Sequence, residues 1–207
     1  MANVAAVSET PLEAEGAPPP HIEIPPFDIV PRVGLVISGV LIAGVIAAIA
    51  TNSQWALDGF HVAGGAAWTI LDLFLGFVLG PIMGSMSVPS RIEFITKLMP
   101  KMVVIMPTVV TLTLASGWQL ATKLGTNLTS YPLHGWIVAS FIIVGVMSVI
   151  ALGLLEPANI AVLTELKKRR PNPAVIERLM KRFMYSAGVL GAMQIATLII
   201  MSKIASG

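Results

Sequence analysis

Five apolar runs dominate the chain, at about Val33–Ala50, Phe60–Gly84, Lys101–Ala121, Leu133–Leu155 and Met184–Ile204. Each suffices to cross roughly 30 Å of bilayer hydrocarbon, which takes about 20 helical residues. Hydrocarbon leaves no water for unpaired backbone groups, so only helices and closed barrels span it. Among 207 residues, 55% are hydrophobic and 12% charged, against ~25% charged in soluble domains. Mean hydropathy is +0.83. The expected fold class is an all-α integral membrane protein with five transmembrane helices. The net charge of +2 gives no argument for nucleic acid, because the basic residues sit between apolar spans. With no cysteine, disulfide frameworks, thiolate metal sites and thiol catalysis are excluded.

The connecting segments divide the cations unevenly. On the side of the N-terminus lie Arg32, Arg91, Lys97, Lys101, Lys167, Lys168, Arg169, Arg170, Arg178, Lys181 and Arg182; the other side holds Lys123 and Lys203. Eleven against two predicts a cytoplasmic N-terminus and an outside C-terminus in the cell inner (plasma) membrane. Trp55, Phe60, Trp118, Tyr131 and Trp136 then form an aromatic belt at the outer interface. Residues 85–100 and the basic segment 166–183 read as cytoplasmic loops. The basic segment either sets topology or binds anionic lipid head groups.

Residues 1–30 hold five acids, six prolines and no Lys or Arg. They read as a Pro-rich acidic cytoplasmic tail, extended and unable to build a core. They are no secretory signal, which needs positive charge before an apolar run. Residues 31–207 make the membrane domain.

The second run, HVAGGAAWTILDLFLGFVLGPIMG, carries the candidate site. Trp68 and Asp72 lie seven and eleven residues after His61, each within about 20° of its helix face. Two histidines, His61 and His134, open separate spans near the outer surface. Such a pair can supply both axial ligands of a b-type haem or part of a copper site. The alternative is two interfacial residues with an apolar body and a wet tip. Asp72 lies about 16 Å deeper, where a carboxylate costs roughly 2.5–3.5 kcal/mol. It is expected to relay protons, pair with a cation or orient a ligand, or to be a protonated acid bonded to a neighbouring Thr, Ser or Gln194.

Met99, Met102 and Met106 form a helical stripe that suits either Cu(I) or irregular core packing. Thr108, Thr111, Thr113 and Ser116 are expected to re-satisfy backbone groups freed by Pro107. Gly34, Gly39 and Gly44, and the Gly76, Gly80, Gly84 series, are expected points of close helix approach. No phosphate-binding glycine loop, Ser-His-Asp set, HExxH or heptad repeat is present.

Three features together carry a resemblance. His61 is followed by Trp68 and by Pro81 near the helix exit. Next comes FITKLMPKMVVIMPTVVTLTLASGWQL, a basic opening to a helix with a mid-span Pro and a terminal Ser-Gly. The Leu133-His134 pair then opens the following helix. Residues 59–207 thus resemble the four-helix unit of CopD-type and HemJ-type membrane proteins. The resemblance implies a module binding haem b or copper, with His61 and His134 as ligands. HemJ-type proteins act on protoporphyrinogen and have a Lys close to this second histidine. Here Gly135, Trp136 and Ile137 follow it, which argues against that oxidation.

The first expectation is thus a membrane b-type haem or copper protein in electron transfer or haem and copper handling. His61 and His134 would bind the metal, Trp68 and Trp136 would pack on the cofactor, and Asp72 would be a secondary polar group. The alternative is a cofactor-free accessory subunit of a larger membrane complex, meeting its partners through the tail and the Gly-rich faces. The sequence leaves open whether the protein is an enzyme.

Overall fold

The computed structural model describes residues 24–123 and 134–206, the side chain of His134 excepted. Most of the acidic tail, the connection at 124–133 and Tyr131 therefore lie outside the described residues. Five helices are long and apolar enough to cross a membrane: α1 Arg32–Ala50, α2 Gln54–Ser85, α3 Val88–Lys123, α4 Gly135–Leu166 and α5 Pro173–Ser206. Among the described residues there is no strand. Among the described residues the regular structure is all helix, as the apolar runs require.

Helices α2 to α5 pack as an up-and-down bundle. Helix α3 meets α2 and the C-terminal part of α4, and α5 meets α4 and α2. Helix α1 lies outside, against α3 and α2. Only Val45 and Ala48 of α1 are buried. Thr108 Oγ1 of α3 ties it inward, 2.7 Å from Ser38 Oγ and donating to Val104 O at 2.6 Å. Thr113 and Ser116 donate likewise to the carbonyls of Val109 and Leu112. These hydroxyls bond carbonyls one turn back rather than Val103 O, the i−4 carbonyl freed by Pro107.

The helices run well past the expected spans. At 1.5 Å per residue, the 32 to 36 residues of α2 to α5 extend about 48–54 Å, beyond the roughly 30 Å of hydrocarbon. Residues 85–100, expected as a loop, are helical from Val88, and the α2–α3 turn is only Met86 and Ser87. The basic segment, also expected as a loop, is helical from Pro173. Both extensions carry i,i+4 ion pairs, Glu93–Lys97 and Glu177–Lys181, which support an exposed helix. Caps complete them: Arg91 Nη2 donates to the carbonyls of Gly84 and Met86 at the end of α2. Asn172 Oδ1 accepts from Ala174 N and Val175 N, with Pro173 opening α5.

The α1–α2 turn is equally short. Asn52 takes a left-handed φ of 57°, which asparagine tolerates better than most residues. Ser53 Oγ accepts from Ala56 N to cap α2, and Lys123 at the end of α3 donates to Asn52 O. Trp55, Trp118 and Trp136 present exposed rings at this end. At the opposite end Ile24, Phe27 and Ile29 are half-buried against the helical core. Lys167 Nζ lies 5.4 Å from the Phe27 ring centroid.

Two helices widen just before a proline. Phe74–Leu79 in α2 and Ala151–Leu155 in α4 are π-helical, and Gly80-Pro81 and Glu156-Pro157 follow. Gly80 N reaches back to Leu75 O and Glu156 N to Ala151 O, one residue further than in an α-helix. Proline has no N–H and its ring crowds the carbonyl four residues back. A wider turn lets the helix continue through it. Elsewhere glycine permits close approach: a Cβ on Gly76 would lie 2.8 Å from Gly188 Cα and N, so α2 and α5 touch through their backbones. Gly39 and Gly84 have open space instead. The stripe of Met99, Met102 and Met106 is buried in the central apolar core.

Candidate functional site

His61 occupies the second turn of α2 and faces α3. Its Nδ1 lies 2.9 Å from Thr113 O. A backbone carbonyl only accepts, so Nδ1 carries a proton there, and in the neutral form of the ring the lone pair falls on Nε2. Gly117, one turn beyond Thr113, makes the room. A Cβ at that position would lie 2.6 Å from His61 Cε1 and 2.7 Å from Nδ1. The ring is half-buried. Chain geometry thus fixes both its tautomer and its plane, the arrangement in which a histidine presents one nitrogen to a ligand.

Deeper on α2 sits a second polar group of residues. Asp72 is fully buried and Trp68 is 2% exposed. Thr69 Oγ1 donates to Gln194 Oε1 of α5 at 2.9 Å, and Gln194 Nε2 donates to Asp72 Oδ2 at 3.5 Å. Asp72 therefore bonds the glutamine among its expected partners. Its other oxygen and Trp68 Nε1 have no partner among the described residues. These two are an acceptor and a donor one turn apart on the same face. Close by, Gly191 lies under Leu73 and Phe77 and lets α5 come near the Asp72 carbonyl.

The expected site residues thus fall into separate places. His61 belongs to the α2–α3 seam, and Trp68 with Asp72 to the α2–α5 seam three turns deeper. Trp136 is 40% exposed near the start of α4. His134 begins the helical stretch of α4, and its side chain is outside the described residues. Gly145 has open space where a Cβ would stand, and Ser148 donates to Val144 O of its own helix.

Sequence reasoning missed four contributors. Thr113 and Gly117 are spaced i,i+4, a small-residue step that signals a close neighbour without naming it. Glu156 and Asn159 are buried in the C-terminal half of α4. Their only signal was an acid beside a proline. Among the described residues no three His, Cys, Asp or Glu side chains gather as a metal-ligand set. No family model, no curated protein and no solved structure matches the chain.

Proposed function

We propose that this is a membrane-embedded b-type haem protein for electron transfer or haem handling, with His61 as an axial ligand. The supporting observation is the anchored imidazole: Thr113 O holds Nδ1, and Nε2 is left as the coordinating nitrogen. The donor chemistry fits haem, whose iron takes one or two imidazoles, better than copper. A copper centre draws on several convergent side chains, and no three His, Cys, Asp or Glu side chains converge among the described residues. Bound haem would supply one-electron chemistry. The chain itself would orient the ligand through Thr113 and Gly117 and keep water from the deeper Trp68–Asp72 seam. His134 is the second ligand in this reading, and Trp136 packs beside it. The 59–207 unit then stands with the CopD- and HemJ-type modules it resembles.

The test is a reduced-minus-oxidised absorption spectrum of the purified protein with iron and copper analysis. A b-type α-band with stoichiometric iron, both lost in His61→Ala, is the expected result. A featureless spectrum without iron overturns the reading.

The same proposal places the N-terminus in the cytoplasm, on the charge count of eleven against two. The chain has no cysteine, so single Cys substitutions report topology directly. Asn52→Cys should react in intact cells with a membrane-impermeant maleimide, and Ser87→Cys only after lysis. The opposite pattern would reverse the orientation.

A second reading, an accessory subunit of a larger complex, is favoured by Gly145 and Gly153 of α4, which have open space where a Cβ would stand. Small residues on an uncovered helix face are what close helix partners use. Co-purification of other membrane proteins, lost when both are changed to Leu, is its expected signature. A monomer unaffected by those changes removes it.

A further inference from the structure

Glu156 is 8% exposed, and both its carboxylate oxygens lack a partner among the described residues. It directly follows the π-turn of α4. One turn on, Asn159 is fully buried and donates from Nδ2 to Met99 O of α3 at 3.4 Å. Met99 O can only accept, so the amide nitrogen must face it and Oδ1 must face away. That oxygen too has no partner among the described residues. Three acceptor oxygens therefore stand one turn apart on α4, and the donor that interacts with the carboxylate is the Asn159 amide, which also bonds Met99 O.

No base neutralises this carboxylate. Helices α3 and α5 pack against this part of α4. Their lysines Lys97 and Lys181 pair with Glu93 and Glu177. Arg91 bonds the end of α2, and Lys101, Arg178 and Arg182 are exposed. On α4 and just beyond it, Glu165 pairs with Lys168, and Lys167 is exposed over Phe27. Asp72, another buried acid of the bundle, is bonded to Gln194.

We propose that Glu156 and Asn159 form a buried site for one exchangeable proton. A single proton on Glu156 turns an acceptor into a donor, and Asn159 Oδ1 accepts from it, so both side chains are matched at once. Glu156 lies about 15 Å along α4 from Leu166, and neither it nor Asn159 lines the open groove beside it. A groove of about 540 Å³ between α4 and α5 runs from Pro157, the next residue, to Glu165 and Lys168. This inference is independent of the haem reading, since neither residue belongs to the His61 seam.

The test is an infrared pH titration of the full-length protein in lipid, with and without ¹³C-glutamate. The isotope assigns the carboxylic-acid C=O band to glutamate without any substitution. Glu156→Gln should then remove that band, while Asp72→Asn should leave it. The expected result is a glutamate band that disappears reversibly as pH is raised between about 4 and 10 and that shifts in Asn159→Leu. Three results overturn the proposal: a band that persists throughout, as for a fixed structural acid; no glutamate band at any pH; or loss of the band on adding Na⁺ or K⁺ at constant pH, which would make it a metal-ion site.

Discussion

The imidazole of His61 fills the notch that Gly117 leaves on α3, so close that a methyl group there would stand 2.6 Å from Cε1. Gly117→Ala must therefore push the ring off Thr113 O. Overpacking of this kind costs about 1–3 kcal/mol. The ¹⁵N spectrum of His61 should change from a fixed Nδ1–H tautomer to an exchanging mixture. If haem is bound, its absorption maximum should move or its affinity drop. A histidine spectrum identical to wild type would mean that Gly117 does not position the ring.

Glycine matters at Gly76 for a related reason with a different limit. There the obstacle is the backbone of Gly188 at 2.8 Å, which cannot rotate away as a side chain can. Gly76→Ala should lower thermal stability in detergent by about 1–3 kcal/mol or more. Gly39→Ala has nothing within 4 Å of the new methyl. It should be neutral, or stabilising by up to about 1 kcal/mol through helix propensity. Equal effects of the two changes would show that the α2–α5 contact is looser than described.

Across the same seam, the Thr69–Gln194 bond at 2.9 Å and the Gln194–Asp72 bond at 3.5 Å differ in quality. Hydrogen bonds between membrane helices average about 0.6 kcal/mol and reach about 1.7. A double-mutant cycle with Thr69→Val and Gln194→Leu should give a coupling near that average. The cycle with Asp72→Leu and Gln194→Leu should give less, because 3.5 Å is at the edge of hydrogen bonding. A larger coupling for the aspartate would mean that the longer contact is the stronger one.

The existence and number of the helices were legible because hydrocarbon permits few alternatives to a long apolar helix. Their ends were not. Residues 85–100 are polar, and polarity alone suggests a loop. Yet Glu93 and Lys97, like Glu177 and Lys181, already had the i,i+4 spacing of an exposed helix. His61 and Asp72 stood out as polar residues in apolar surroundings. The partner of His61, Thr113, is 52 residues away, and helix pairing leaves no trace in the periodicity of one helix. Glu156 reads as the end of a span because proline follows it, yet α4 continues through the π-turn and the residue is buried.

That π-turn makes a last prediction. Its hydrogen bond closes one residue later than an α-helical one, so it holds one residue more than the regular helix would. Removing a residue inside Ala151–Leu155 should let the segment relax to α-helix while both flanks keep their buried faces. Proline would still obstruct the regular turn, so the deletion of Leu152 is to be combined with Pro157→Ala. This variant should fold with stability within about 1 kcal/mol of wild type, the usual effect of a change that spares the core. Deleting Val189 from α5 is the contrast, because that helix has no such reserve. It rotates one flank by about 100°, which drives Ala187 away from the face shared with Leu190 and Gln194, all buried. The loss should exceed about 3 kcal/mol, as for large core defects. If both deletions unfold the protein equally, the π-turn is not a stored residue but a fixed part of the α4 packing.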